Sequence, residues 1–367
     1  MPSSSPLIIS SLLPQQQAVL QELKTKTHCV LVTGAGGFLG TAICSFLRAA
    51  EIQVIGFARG HYPHLKALGV TVIQGDLQNK QAVHDAAKGC DMVFHVASKA
   101  GVWGDKASYF IPNVNGTEHV ISACHEHNIQ HLIYTSTPSV TFSGKDESGI
   151  DESQPYAEQF LNFYGLSKAI AESKVLNANC DYLKTVALRP HLIWGPGDPH
   201  LVPRVIERAK ANKLKLVGKK DKLVDTIYID NAVYAHLLAA VELTKPHSQC
   251  AGKAYFLSND QPILMAEMLN KILTAADLPA VNTRVPATLA YMVGTLLEWW
   301  YLRTGKQNEP IMTRFVAKQL STSHYFNISA AKQDFHYQSL MSIEQGMQAL
   351  KQSLIDSSNN TVKSSTD

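Results

Sequence analysis

A tyrosine and a lysine in this chain have the spacing of a proton-transfer pair. Tyr164 and Lys168 lie four residues apart within a pattern that predicts a helix over 156–179, so their side chains should share one helix face. A phenol normally titrates at about 10, and a nearby ammonium favours the phenolate, which lowers that pKa. Such a tyrosine could give a proton to a carbonyl oxygen or take one from a hydroxyl. On its own, the same pair is more often structural.

The reaction also needs a hydroxyl group that positions the substrate oxygen. Residues 134–139, Tyr-Thr-Ser-Thr-Pro-Ser, end a predicted strand, and we select Thr137 from its spacing, with Ser136 as the second choice. A cluster of this kind can also simply cap a strand end. Asn115 could support the lysine through a water molecule or a helix kink.

A glycine-rich turn near the N-terminus could hold a dinucleotide. Gly34, Gly37 and Gly40 lie between an apolar run at 29–32 and a helical pattern that starts near Phe38. The first glycine allows the tight turn, the second lets the backbone approach a pyrophosphate, and the third lets the helix pack on the strand. The amides of that helix then face the phosphates. An ordinary tight turn is the alternative. We place the following residues at this site: Gly34, Gly37, Phe38, Leu39 and Gly40.

The end of the second predicted strand indicates which dinucleotide is bound. NAD enzymes usually carry an acid there, whereas this chain has Ala58 followed by Arg59. A guanidinium pairs with a 2′-phosphate that an acid would repel. We therefore predict NADP(H); the alternative is that Arg59 is only a surface charge.

Three later strand ends should contact the same cofactor. The third strand should meet the adenine, the fourth strand places small residues beside the ribose, and the sixth strand closes the site, where Tyr164 and Lys168 also contact the nicotinamide half. The residues at these strand ends are Asp76, Leu77, Ala97, Ser98, Lys99 and Pro190.

Strands alternate with helices along the first half of the chain. The strands are predicted at 29–33, 53–58, 70–74, 92–97, 131–136 and 184–189, and the helices near 38–50, 79–88, 114–127 and 156–179. This alternation predicts an α/β fold with a Rossmann-type, doubly wound parallel sheet and a smaller C-terminal substrate-binding part. We divide the chain into an N-terminal tail (1–26), a dinucleotide-binding domain (27–190), a substrate-binding part (191–355) and a disordered tail (356–367). Residues 15–26 could form an appended helix, and elements around 225–258 should return to the first domain.

Composition excludes several classes of protein. The 367 residues carry a net charge of only +3, which argues against a nucleic-acid partner. Six cysteines without a CxxC pattern suggest buried thiols in a reducing compartment, and the N-terminus lacks the pattern of a signal peptide. We predict a cytoplasmic protein. The histidines show no HExxH pattern, so we predict no catalytic metal.

Residues 287–302 are apolar apart from Glu298 and include Trp299, Trp300 and Tyr301. The segment is shorter than the roughly 20 residues that span a bilayer. We interpret it as a buried helix or as the wall of an apolar pocket, lined by Met292, Leu296, Leu297, Trp299 and Trp300. The alternative is a peripheral contact with the inner membrane.

Together these motifs resemble the extended short-chain dehydrogenases/reductases, in the branch of the 3β-hydroxysteroid and sterol-4-carboxylate dehydrogenases. The matching stretches, which cover roughly residues 29 to 260, are TGAGGFLG, GDL, HVAS, NVNGT, YTST, YGLSK, LRPHLIWGPGD and YIDN. The resemblance implies the fold and the catalytic roles given above.

Three stretches are similar, more narrowly, to the 2-alkyl-3-oxoalkanoate reductases of bacterial long-chain olefin biosynthesis. They begin at Ala58, Ala97 and Thr137, the last continued by 189–194. The similarity implies NADPH-dependent reduction of a long-chain β-keto acid and assembly with other enzymes of that pathway. We also predict a homodimer. Lys99, Arg204 or His191 could receive the substrate carboxylate. The alternatives are a 3β-hydroxysteroid or sterol dehydrogenase and a non-catalytic nucleotide-sensing protein.

Overall fold

A seven-stranded parallel sheet forms the centre of the molecule, in the order β12-β7-β5-β4-β1-β2-β3. The structure is a computed structural model and describes residues 7–364. Its strands are β1 (Cys29–Thr33), β2 (Gln53–Ala58), β3 (Thr71–Gln74), β4 (Met92–His95), β5 (His131–Thr135), β6 (Glu147–Ile150), β7 (Lys184–Pro190), β8 (Ile193–Trp194), β9 (Leu216–Val217), β10 (Leu223–Val224), β11 (Ile227–Tyr228), β12 (Lys253–Leu257), β13 (Ile263–Leu264), β14 (Arg284–Val285) and β15 (His324–Phe326).

Helices cover both faces of this sheet, and others form the second part of the molecule. They are α1 (Pro14–Lys24), α2 (Phe38–Ala49), α3 (Pro63–Ala67), α4 (Lys80–Ala87), α5 (Lys106–Phe110), α6 (Gly116–Glu126), α7 (Phe163–Asn177), α8 (Leu201–Lys210), α9 (Ile229–Leu243), α10 (Met265–Ala275), α11 (Ala287–Thr304), α12 (Arg314–Gln319), α13 (Ser329–Phe335) and α14 (Ile343–Ser364). A π-helical turn at Ile111–Asn115 joins α5 to α6.

The strand order confirms the doubly wound parallel sheet. Thr33 of β1 is paired with Phe57 of β2 on one side and with His95 of β4 on the other, and the register continues through Tyr134 of β5. All of these strands therefore end at the same edge of the sheet, where ligands bind in folds of this class. The first strand is buried along its whole length, because helices cover both faces.

The boundaries of the two parts differ in detail from the sequence divisions. β12 pairs with β7 at the edge of the main sheet, and α9 is buried along most of its length. In contrast, β6 lies within residues 27–190 yet belongs to a second sheet, of order β13-β10-β15-β6. The smaller part thus takes one strand from the first half of the chain.

Both terminal segments contain helices. The appended helix expected at residues 15–26 is present as α1, which buries Val19, Leu20 and Leu23 in the apolar core. Helix α14 continues to Ser364, where the sequence analysis placed a disordered tail from residue 356. Residues 1–6 and 365–367 of the two tails lie outside the described residues.

Candidate active site

The glycine turn after β1 is built for a close backbone approach. Gly34 has a φ of +69°, and a Cβ at this position would lie 2.8 Å from the backbone of Ala97. A Cβ on Gly40 would lie 2.2 Å from the carbonyl oxygen of Gly34. No side chain of the described residues caps α2 at its N-cap residue Gly37. The helix N-terminus is therefore open toward the cavity, as a pyrophosphate requires.

A single cavity of about 1460 Å³ runs from this turn into the smaller part of the molecule. It brings together nearly all of the residues that the sequence analysis selected. The selected residues that line it are Gly34, Gly37, Phe38, Leu39, Gly40, Arg59, Asp76, Leu77, Ala97, Ser98, Lys99, Thr137, Tyr164 and Pro190. Among the predicted catalytic and cofactor-binding residues, Lys168 alone does not line the cavity.

The dinucleotide end of the cavity contains an aromatic residue that sequence reasoning missed. A Cβ on Gly36 would meet the ring of Tyr62 at 2.2 Å, so this tyrosine covers the glycine turn. Its backbone follows Arg59, whose carbonyl oxygen accepts a hydrogen bond from the Gln74 side chain at 2.8 Å. The sequence signal that could have indicated Tyr62 as a cofactor contact is its position three residues after Arg59.

Tyr164 lines the cavity, where it is partly exposed, and its phenol interacts with the hydroxyl group of Thr137. The Thr137 hydroxyl also lies 3.3 Å from that of Ser139. Ser136, the second choice, is buried and its hydroxyl has no partner among the described residues. The geometry thus places Thr137 beside the phenol oxygen.

The pKa of Tyr164 moves in the opposite direction to the one expected from sequence. Burial raises this pKa above its ordinary value, and the hydrogen bond with Thr137 only partly opposes the effect. The burial cost of the phenolate therefore outweighs the stabilisation expected from the Lys168 ammonium, which donates to the carbonyl oxygen of Thr135. Tyr164 is therefore held as a protonated acid, which is the form that ketone reduction needs.

Lys168 reaches under the cavity floor instead of into it. Its Nζ donates to the carbonyl oxygen of Thr135 at 2.6 Å and lies 4.1 Å from the ring centroid of Tyr134. Burial lowers the pKa of Lys168 to about 7, while the negative charge of Glu172 opposes this shift. A ligand with hydroxyl groups near Nζ would give the Lys168 ammonium further hydrogen-bond acceptors. These bonds would offset part of the free-energy cost of burying its charge.

The asparagine that supports this region is Asn113, not Asn115. Asn113 donates to the Ser167 hydroxyl at 2.9 Å and accepts from the backbone amide of Lys99 at 2.7 Å. Asn115 lies in the π-helical turn, and its amide approaches Glu118 on the surface. The predicted kink therefore exists, but its inward-facing amide belongs to the residue two positions earlier.

The three candidates for binding the substrate carboxylate differ in whether they are free to donate a hydrogen bond to it. Nδ1 of His191 lies 2.6 Å from the carbonyl oxygen of Asp225, and burial lowers the pKa of His191 to about 3. A neutral ring that donates through Nδ1 can only accept at Nε2, so His191 cannot donate to a carboxylate. Arg204 is paired with Glu309 at 3.2 Å. Lys99 remains, with its Nζ 4.8 Å from the ring centroid of Tyr109.

Residues 287–302 form α11, yet most of this helix is not buried. Only Ala290, Gly294 and Glu298 are buried. The cavity wall contains Leu289, Ala290 and Val293, whereas the sequence analysis chose other positions, namely Met292, Leu296, Leu297, Trp299 and Trp300. The apolar pattern could not reveal which face of the helix meets the cavity. Within residues 7–364, no helix has the length and apolar character needed to cross a bilayer.

A group of potential metal ligands lies away from this cavity. Side-chain atoms of His84, Glu126 and His127 come within 4.8 Å of one another, but none of these residues lines the cavity. Nδ1 of His84 and a carboxylate oxygen of Glu126 are 2.6 Å apart. The group therefore has no part in the chemistry of Tyr164.

The value of kcat/KM for ketone reduction should fall as the pH rises through about 7, because Lys168 loses its proton there. Only the protonated lysine carries the positive charge that stabilises the phenolate left after proton transfer. The raised pKa of Tyr164 keeps the phenol protonated over the same range. A pH profile of kcat/KM measures the effect, and a profile without a falling limb in this range would contradict it.

Comparison with known proteins agrees with the geometry. Residues 31–286 match the model of the 3-beta hydroxysteroid dehydrogenase/isomerase family. The chain belongs to this family. Among curated family relatives, the 2-alkyl-3-oxoalkanoate reductase of Shewanella oneidensis is 63% identical over 94% of this chain and 91% of its own length. The corresponding reductase of Stenotrophomonas maltophilia is 49% identical, over 88% and 98%. A murine sterol-4-alpha-carboxylate 3-dehydrogenase is 34% identical, over 90% and 91%.

Solved structures share the fold at low sequence identity. An epimerase of Methanothermobacter thermautotrophicus superimposes with a TM-score of 0.73 at 17% identity, over 94% of this chain and 98% of its own. A short-chain dehydrogenase/reductase superfamily protein of Agrobacterium tumefaciens, solved with NAD, gives 0.69 at 18% identity, over 92% and 100%. These neighbours confirm the Rossmann-type fold of the family member described here.

Proposed function

We propose that this chain is an NADPH-dependent reductase that converts a 2-alkyl-3-oxoalkanoate to the 2-alkyl-3-hydroxyalkanoate. The observation that carries the proposal is the position of Tyr164. This phenol, which lies beside Thr137, lines one cavity that contains both the glycine turn and an apolar wall. The 63% identity to a reductase of that name supports the choice of substrate.

The residues of the chain would divide the reaction between them. The glycine turn and Arg59 would hold NADPH, which when bound would supply a hydride for the carbonyl carbon. Thr137 donates a hydrogen bond to the carbonyl oxygen, and Tyr164 transfers its proton to the same oxygen. Lys168, whose Nζ lies below Thr135, provides the positive charge that stabilises the resulting phenolate.

The substrate carries alkyl chains and a carboxylate, and the cavity offers matching surroundings for both. Leu201, Val205 and Leu269 belong to its apolar wall. Lys99 lines the cavity, and Tyr109, over which its Nζ lies, packs against Tyr164 with ring centroids 6.5 Å apart. We assign the carboxylate to Lys99, because Arg204 already has Glu309 as a partner.

The preference for NADPH rests on Arg59, which lines the cavity at the end of β2. The Arg59→Ala variant should lower kcat/KM for NADPH by roughly 10- to 100-fold, because charge-assisted hydrogen bonds to the 2′-phosphate are lost. The value for NADH should change little. Steady-state kinetics with both coenzymes measure the change, and Arg48→Ala, on the far end of α2, serves as the control. A wild-type preference for NADH would contradict the assignment.

Reduction of a synthetic 2-alkyl-3-oxo acid, followed by NADPH absorbance, tests the proposed reaction. We expect turnover with this substrate and little oxidation of 3β-hydroxysteroids in the presence of NADP⁺. The reverse result would establish the second candidate, a sterol dehydrogenase, which the family match and the 34% identical murine relative favour. Tight NADPH binding without turnover of either substrate would support the non-catalytic alternative.

A further inference from the structure

Two histidines and a glutamate come together where α4 packs against α6. His84 lies in α4, Glu126 is the last residue of α6, and His127 follows directly. One possible ligand atom from each side chain lies within 4.8 Å of those from the other two. We call these three residues the α4–α6 cluster. None of them lines the cavity that contains Tyr164, so the proposed reaction does not account for the cluster.

The imidazole of His84 is buried but only half satisfied. Its Nδ1 lies 2.6 Å from a carboxylate oxygen of Glu126, and the His84 side chain is 5% exposed. Its Nε2 is buried and has no hydrogen-bond partner among the described residues. A buried polar atom without a partner costs free energy, and folded proteins contain few of them. The His84 ring therefore retains capacity to bind a further group.

The second imidazole of the cluster is in the same condition. Nε2 of His127 is also buried without a hydrogen-bond partner among residues 7–364. The rings of His84 and His127 lie edge to face, with their centroids 6.0 Å apart. Imidazole nitrogens and carboxylate oxygens are common metal ligands in proteins. Two under-used imidazoles beside one carboxylate are thus suited to hold a single cation.

The surrounding helices fix the positions of these side chains. Buried residues of α4 and α6, such as Val83 and Val120, belong to one apolar core. The backbone amide of His127 donates to the carbonyl oxygen of Ala123 at 3.0 Å, so His127 is held at the C-terminus of α6. The helix dipole places partial negative charge at this end, which favours a cation. Ligands that are held in place before binding also lose little conformational freedom on binding.

The types of ligand indicate which ion the cluster would select. Imidazole suits Zn²⁺ and its neighbours among the transition metals, whereas Mg²⁺ and Ca²⁺ take mainly oxygen ligands. Bonds of about 2.0–2.1 Å place the ligand atoms of a tetrahedral Zn²⁺ roughly 3.3 Å apart. The three side chains already come within 4.8 Å of one another, so small side-chain rotations are sufficient. Glu126 is 59% exposed, which gives an ion a path from solvent.

We propose that the α4–α6 cluster binds one Zn²⁺ ion and thereby joins α4 to α6. The two imidazoles coordinate the ion, and the Glu126 carboxylate provides negative charge beside it and orients the His84 ring. The ion stabilises the folded chain, because the unfolded chain does not hold the three groups together. The proposal is independent of which carbonyl compound the enzyme reduces.

Isothermal titration calorimetry of the untagged, chelator-treated full chain with ZnCl₂ tests the proposal. We expect one ion per chain and no competition from MgCl₂. The His127→Ala variant should weaken binding by at least about tenfold, and Glu126→Gln by about tenfold, because even groups that only orient a ligand contribute roughly 10- to 100-fold to metal affinity. Both residues are at least partly exposed at the end of α6, so these variants should fold.

His125 provides the matched control. It is exposed on the same helix, two residues before His127, and therefore on another face. The His125→Ala variant should bind Zn²⁺ like the wild type. Thermal unfolding gives a second readout: Zn²⁺ at a hundredfold excess over Kd should raise the Tm of the wild type and of His125→Ala by about 3–4 °C. The Tm of His127→Ala should rise much less.

Absence of Zn²⁺ binding by the wild-type chain would overturn the proposal, and so would equal weakening in His125→Ala and His127→Ala. Binding that survives His127→Ala but is lost in Cys29→Ser would also overturn it. The ion would then lie on the thiols of Cys29 and Cys90, whose Sγ atoms are 3.6 Å apart.

Discussion

Replacement of Tyr164 by phenylalanine should lower kcat for ketone reduction by at least about 100-fold, while the affinity for NADPH stays close to that of the wild type. A positioned general acid contributes roughly 10²- to 10⁴-fold to such a rate. The phenol lines the cavity beside Thr137, which is the position that the proposed proton donor needs. Single-turnover reduction measures the rate, and fluorescence titration with NADPH measures binding.

A second tyrosine provides the control for this experiment. Tyr337 is buried, and its hydroxyl donates to the carbonyl oxygen of Ser258 at 2.9 Å, outside the cavity. Tyr337→Phe should cost some stability but leave kcat near the wild-type value. Retained turnover in Tyr164→Phe would refute the assigned acid, and a parallel loss of NADPH binding would indicate structural damage instead.

The Glu172→Gln variant should lower the free energy of unfolding by about 3–5 kcal/mol, because it leaves a buried guanidinium without its counter-charge. Glu172 is fully buried and Arg189 nearly so. Two hydrogen bonds join them, at 3.0 and 2.6 Å, and the Tyr156 hydroxyl donates to the same carboxylate at 2.9 Å. Urea denaturation followed by circular dichroism measures the loss.

The same substitution has a catalytic consequence that a purely structural pair would not have. Glu172 raises the pKa of Lys168 against the effect of burial, so the variant should shift the falling limb of the pH profile to lower pH. As the control, Asp277→Asn removes the exposed pair with Lys351 and should cost no more than about 1 kcal/mol. Similar losses of unfolding free energy in Glu172→Gln and Asp277→Asn would show that the buried pair stabilises the fold no more than the exposed pair does.

Local sequence patterns were sufficient for the sheet and for the cofactor end of the site. The run Cys-Val-Leu-Val-Thr at 29–33 is apolar and forms a buried strand, and glycines at 34 and 40 are required by contacts below 3 Å. Periodicity and glycine spacing encode such features within a few residues of one another. Because the parallel strands end at the same edge of the sheet, the predicted strand-end residues between Gly34 and Pro190 lie close together and line one cavity.

Local sequence patterns did not predict the features that depend on three-dimensional packing. The expected lowering of the Tyr164 pKa failed because burial by distant segments outweighs a lysine that turns toward Thr135. Asn113 replaced Asn115 because a π-helical turn changes which residue faces α7. Burial and helix phase are properties of the assembled fold.

The sequence by itself determined the α/β fold and predicted the Tyr164, Lys168 and Thr137 set that we propose for carbonyl chemistry, because each rests on residue type and short-range spacing. Only the tertiary structure decided the protonation of that set and the outward orientation of α11. Both depend on which surfaces other parts of the chain cover. For α11 the deciding contacts are those of Gly294 and Glu298 with the start of α12, which turn its tryptophans away from the cavity.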